Sequence, residues 1–185
     1  MLPRFALRLS KTWPEAVRAA LVVVAVALQS CSDSTLLARA GLEEDRPKEE
    51  PLKLPPYPKQ EHLARIDIGP PGSFEFFIDT QSVDLPAPDT IRYTMVAKSS
   101  AGATNITYEA LRCKGRDRRL YALGRPDATW VPVRRSEWTP YSRTEYSQIH
   151  VILAQDYFCP NRQSVLTAQE AVSAVRQGGH PDVRR

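Results

Sequence analysis

At 185 residues the chain has room for one principal domain, and a formal charge of +4 with a pI near 9.1 raises the question of a phosphate-rich partner. The excess sits at the start, where residues 1–30 hold Arg4, Arg8, Lys11 and Arg18 against Glu15, so that the remainder carries 21 bases against 20 acids. That balance excludes the net basic surface on which nucleic-acid binding by counterion release depends, and no nucleic-acid partner is expected.

The basic start leads into Ala19–Leu28, an unbroken apolar run. As a helix rising about 1.5 Å per residue, ten residues cover only about 15 Å of a hydrocarbon core about 30 Å thick, too short to span but right for the apolar segment of an export signal. Leu28-Gln29-Ser30-Cys31 follows directly and resembles a lipobox: Leu three residues before a cysteine, a small residue just before it, and a thiol that receives a diacylglyceryl group. The expectation is a signal peptide over 1–30 and a lipid anchor on Cys31 that binds the mature chain to the membrane. Ser32 rather than Asp follows the cysteine, which favours the outer membrane and its periplasmic face. The alternative is an ordinary secretory signal in which Cys31 is incidental.

Residues 31–61 read as the lipidated N-terminus and a tether. Glu43-Glu44-Asp45 is followed by Pro47, Pro51, Pro55, Pro56 and Pro58, and the leucines are scattered without a period. Such a stretch buries too little apolar surface to offset its ordering entropy, and proline stiffens it toward polyproline II.

A single domain over 62–179 follows, with 180–185 as a tail. From Thr90 to Lys98 the residues Ile91, Tyr93, Met95 and Ala97 alternate with Arg92, Thr94, Val96 and Lys98, the period of a strand covered on one face. Thr104–Cys113 repeats the design after a Ser99–Gly102 turn, and Lys114–Asp117 leads into a third run, Arg118–Gly124. Phe74–Ile78 and Thr129–Val133 are the earlier and later strands, Pro132 marking an edge. Ile149, Ile152, Leu153 and Tyr157 recur at helical spacing within about 145–158, ahead of Pro160. A second helix spans Ala168–Gln177, signed by the Thr167-Ala168-Gln169-Glu170 capping box and by Gly178-Gly179. Strands and then helices in blocks predict an α+β fold: an antiparallel sheet of about five strands with two C-terminal helices on one face.

Beyond Cys31 the domain holds Cys113 and Cys159. An export signal with an even count reads as one disulfide, the alternatives being free buried thiols or a redox or metal pair. His62, His150 and His180 do not cluster with the cysteines in sequence, so neither a metal site nor a cofactor is expected.

Taken in order, Phe76-Phe77-Ile78-Asp79 with Ser82, Ile91-Arg92-Tyr93-Thr94, Asn105-Ile106-Thr107-Tyr108-Glu109 through Arg112-Cys113, Tyr121-Ala122-Leu123-Gly124, Trp130, Trp138 and Tyr157-Phe158-Cys159-Pro160 resemble the cryptic neisserial protein 1-like family over about residues 72–177. The resemblance implies an exported proteobacterial lipoprotein, a disulfide and a single-domain form. It implies no activity, so it carries no catalytic positions onto this chain.

Three surfaces remain as candidates. Arg112, Lys114, Arg116, Arg118 and Arg119 crowd one turn and suit the phosphates of lipid headgroups, against the simpler reading of a solvated hairpin tip with Asp117 partly balancing it. Trp130, Trp138, Tyr141, Tyr146 and Tyr157 suit a groove for sugar or peptide, although most are expected in the core. Asp79, Glu109, Glu137, His150 and Asp156 are the polar residues a hydrolase needs, but no spacing pairs a nucleophile with a base and no GxSxG or HExxH string occurs. Asn105-Ile106-Thr107 has the form of a glycosylation acceptor but falls inside a strand. The leading expectation is a non-enzymatic accessory or interaction module of the envelope with a protein or glycan partner. The alternatives are a hydrolase acting on cell-wall or lipid substrates and a periplasmic small-ligand module.

Overall fold

The alternation read from Thr90 onward becomes the centre of a sheet. In a computed structural model that describes residues 50–69, 73–142 and 148–183, seven strands are β1 (Leu63–Ile66), β2 (Phe74–Ala87), β3 (Thr90–Ser99), β4 (Thr104–Arg112), β5 (Asp117–Gly124), β6 (Trp130–Pro132) and β7 (Thr139–Pro140). The export segment, Cys31, most of the tether and Tyr146 lie outside the described residues. β1 to β6 follow one another across the sheet, every pairing antiparallel, and β7 lies beside the start of β5. The β3–β4 register runs unbroken from Thr90↔Arg112 to Lys98↔Thr104. Its turn closes where Gly102, at φ +89°, donates its N–H to Ser99 O at 3.0 Å.

The α+β class, the antiparallel sheet, the two helices and the disulfide are as the sequence predicts, with two more strands than expected and one much longer. β2 reads as five residues in the sequence because no period carries the apolar run Phe74–Ile78 past Asp79, and the structure shows why. The pairing with β3 shifts between Asp79 and Asp84, where Ser82 Oγ donates to Asp79 O and accepts from Thr94 N, both at 2.8 Å. A bulge spends residues without moving the strand forward, so the period is lost while the strand continues.

The helices cover one face. α1 begins as Gln148–Ile152 and continues in a wider π-helical turn, Leu153–Phe158, closed by Cys159 N–H donating to Ala154 O at 2.8 Å. That widening turns Phe158 and Cys159 inward. Phe158 meets Tyr93 at 5.3 Å between ring centres, and Cys159 bonds Cys113, their Cα atoms 5.5 Å apart. α2 (Ala168–Gln177) buries Ala171, Ala174 and Val175 against β1 and β2. Thr167 Oγ1 accepts from Glu170 N at 3.1 Å, and Glu170 Oε2 reaches back to Leu166 N at 2.7 Å. Beyond α2 the chain stays attached: His180 is buried, its N–H donates to Asp156 O at 2.7 Å, and its ring nitrogen Nε2 lies 3.0 Å from Glu170 Oε1.

The other face holds a smaller cluster of Tyr108, Ala110, Tyr121 and Ala122, packed by Leu54, Trp130 and Trp138. Leu54 comes from the stretch whose composition suggests a tether. Residues 50–59 have no helix or strand of their own, yet they cross this face as an arm. Glu50 N–H donates to Pro86 O at 3.1 Å, Pro55 O accepts from Trp130 Nε1 at 2.9 Å, and Tyr57 Oη donates to Arg125 O at 2.5 Å. Prolines suit such an arm, because their fixed φ reduces what ordering costs and an extended segment outside the ladder does not need their missing N–H. Gly124 completes the fit: a Cβ there would lie 2.8 Å from Ile106 and 3.1 Å from the Tyr57 ring.

Candidate functional site

The most unusual chemistry lies under the helices. On β4, Thr107, Glu109 and Leu111 share the face toward α1, with Cys113 just beyond the strand, and Glu109 is the charged residue of that row. A charge on a core face needs a partner of comparable strength, and α1 supplies it. His150 Nε2 lies 2.7 Å from Glu109 Oε2, Thr107 Oγ1 donates to Oε1 at 2.7 Å, and Arg118 Nη1 stands 3.7 Å from Oε2. Glu109 is 1 % exposed and His150 3 %. Burial alone pushes the Glu109 carboxyl up, but the charge and hydrogen bond of His150, the Thr107 hydroxyl and the Arg118 guanidinium outweigh it and hold the group below the usual carboxylate range. Tyr93 lies within the electrostatic reach of Glu109, and burial pushes its hydroxyl well up.

Among the described residues the hydroxyl of Tyr93 and Nδ1 of His150 have no hydrogen-bond partner. A carboxylate holding one imidazole nitrogen is half of a relay, but the far nitrogen meets no nucleophile, and both groups are closed off from solvent. What this arrangement does physically is pin α1 to β4, four residues before Cys113 on the strand and nine before Cys159 on the helix. Sequence reasoning named Glu109 and His150 in one set of hydrolase candidates, with no spacing to pair them. The alternation that puts Glu109 on the core face was the signal that it requires a buried partner, while the identity of that partner lay 41 residues away.

Of the remaining hydrolase candidates, Asp79 is buried in the β2 bulge, Asp156 is half-buried beside the C-terminal segment and Glu137 is exposed. None of the three joins the Glu109 cluster, and no three potential metal ligands converge among the described residues.

The five bases of the β4–β5 region divide. Arg112 is buried, grips Asp117 through Nε and Nη2 at 2.9 and 2.6 Å, and lies 3.8 Å over the Trp138 ring. Arg118 turns toward Glu109, and Arg119 donates from Nε to Ser136 Oγ at 3.0 Å. Lys114 and Arg116 are exposed. The aromatics divide too: Tyr141 and Tyr157 are core residues, Trp130 holds the arm and Trp138 covers Arg112. A cleft of about 260 Å³ opens at the far end of the sheet, around the Ser99–Ser100 turn. Of its charges, Arg65 pairs with Glu75 at 3.3 Å, Lys98 donates to Gln60 Oε1 at 2.8 Å and Asp67 Oδ1 accepts from Gly69 N at 3.0 Å.

One comparison with known proteins places the chain in a family. The model of the CNP1-like family matches residues 43–176. This chain belongs to the CNP1-like family. The match begins upstream of the described arm, so the CNP1-like unit includes the segment that crosses the second face of the sheet as well as both bonded cysteines. No curated protein and no solved structure matches the chain.

Proposed function

We propose that this CNP1-like protein is an envelope lipoprotein, held by an acylated Cys31 on the periplasmic face of the outer membrane, whose domain binds an envelope protein or glycan and performs no chemistry of its own. The observation that carries the address is the sequence of basic start, ten-residue apolar run and Leu28-Gln29-Ser30-Cys31. A disulfide joining sheet to helix supports it, since such bonds persist in oxidising compartments. The absence of chemistry is argued from the Glu109–His150 pair. It is the best-formed acid–base couple among the described residues, and it is sealed in the core, where it serves packing.

Replacing Cys31 with Ser tests the address. Because the lipid on that thiol would be the anchor of the mature chain, Cys31→Ser should leave the membrane fraction or accumulate unprocessed. A variant processed normally and retained in the membrane pellet after a high-salt wash refutes the reading.

A further inference from the structure

Two turns far apart in sequence share one end of the domain because a covalent bond holds them there. Cys113 closes β4 and leads into Lys114-Gly115-Arg116; Cys159 closes α1 and leads into Pro160-Asn161-Arg162. Tyr141 N–H donates to Arg116 O at 3.1 Å, and burial pushes the Tyr141 hydroxyl up while the charges of Arg116 and Arg162 oppose that shift. Both arginines also sit at left-handed backbone angles, φ +52° and +66°, with Asn161 between the cysteine and Arg162 at +52°. Glycine adopts that region at no steric cost, whereas side chains with a Cβ do not, so charge is present here against a local backbone preference. Among the described residues, two of the acids at this end are already engaged. Asp89 takes the Lys114 N–H with both carboxylate oxygens at 3.2 and 3.1 Å, and Asp117 is held by Arg112. Lys114, Arg116 and Arg162 are left exposed.

The arm enters at this same end. Glu50 bonds Pro86, which lies just before the Ala87↔Thr90 turn, and Asp89 of that turn holds Lys114. Glu50 lies nineteen positions after Cys31 in the sequence, a chain reaching at most about 65 Å. A lipid on Cys31 would therefore hold the point where the arm joins the domain within reach of the bilayer, at high effective concentration.

We propose that the Lys114, Arg116 and Arg162 end is a docking surface for the anionic phospholipid headgroups of the membrane that carries the anchor. This rests on the lipoprotein reading for its orientation and on the clamped turns for its chemistry: three cations on a rigid frame facing phosphates, an attraction that falls with salt. Arg112 and Arg118 belong to the fold, and Arg162, absent from the basic cluster visible in the sequence, belongs to the surface.

The test uses the lipidated protein reconstituted in vesicles of phosphatidylcholine alone and of phosphatidylcholine mixed with phosphatidylglycerol, with amide hydrogen exchange read at residues 114–118 and 161–163. Exchange there should slow at least about tenfold on the anionic vesicles alone, and raised salt should reverse it. The Arg116→Gly, Arg162→Gly double variant relieves both left-handed positions, so its melting temperature should hold or rise while the anionic-vesicle protection disappears. Equal protection on both vesicles, as the chain's own Glu43-Glu44-Asp45 run would give by covering the turns, overturns the proposal, and so does protection that survives in the double variant. If the anchor reading fails, the protein still binds anionic vesicles in a salt-dependent way and does not bind neutral ones. Binding to neither overturns the docking.

Discussion

A carboxylate that is 1 % exposed on a β-strand is stable only with its charge answered on several sides, and Glu109 is answered by His150, Thr107 and Arg118. Because these contacts lower its pKa below 4.5 in the folded chain, the unfolded chain binds the proton more readily. The stability contributed is thus fully present above the unfolded value and is lost as pH falls through the folded one. Glu109→Gln keeps the volume but removes the charge that His150 and Arg118 face. Breaking a buried pair in this way should destabilise by about 3 kcal/mol at neutral pH. Urea unfolding at pH 7 and at successively lower pH tests the sign: the gap between native and variant should narrow below about pH 4.5 as the native protein loses what the variant lacks. A gap that stays constant into strong acid would mean the carboxylate is not the group being answered.

At the scale of elements, what the sequence reveals depends on whether its period is kept. β3 and β4 alternate without interruption, and their nine-residue register is legible from Thr90 to Arg112. α2 is legible because both its ends are signed, by Thr167 and by Gly178 at φ +76°. β2 is not, since the Asp79–Ser82 bulge resets its phase, and β1 and β7 are too short to show a period at all. In α1 the stripe Ile149, Ile152, Leu153 and Tyr157 is visible, whereas the widened turn that follows depends on Phe158 and Cys159 both finding inward positions, a tertiary demand. The disulfide fixes that turn. Closing a loop across a sequence separation of 46 restricts the unfolded chain by about 4 kcal/mol in the chain-entropy view, and loss of such a bond costs about 2 to 5 kcal/mol. The Cys113→Ser, Cys159→Ser double variant should melt lower by about 10 °C or more. Each single variant should fall comparably and form intermolecular dimers through its remaining thiol. Two freely alkylatable cysteines in protein isolated without reductant would remove the basis for this prediction.

For the whole molecule, the informative disagreement between composition and structure is the arm. Leu52 is exposed and unused, but Leu54, Pro55 and Tyr57 land on a face of the sheet that would otherwise present Tyr108, Tyr121 and Trp130 to water. Nothing in a proline-rich stretch without period announces this, because its partners are supplied by Trp130 and Arg125, about seventy residues on. A sheet covered by helices on one side and an arm on the other is a closed sandwich, and the arm then belongs to the cooperative unit, in keeping with a family match that starts at residue 43. Trp130→Ala removes the indole that donates to Pro55 O and that packs Tyr57 at 5.4 Å and Tyr108 at 6.2 Å. Because Trp130 is only half-buried, the loss should fall below the usual range for large aromatic truncations, at about 2 kcal/mol. The more specific readout is trypsin cleavage after Lys53 and Lys59, which bracket Pro55 and Tyr57. If arm release is the opening that exposes them, a loss of about 1.4 kcal/mol in its docking raises cleavage there about tenfold, while sites in β4 and β5 stay protected. Tyr57→Ala should give the same pattern from the other partner. Equal cleavage in the native protein and both variants would mean that the arm is not held, and the second face of the sheet would then be left for a different cover.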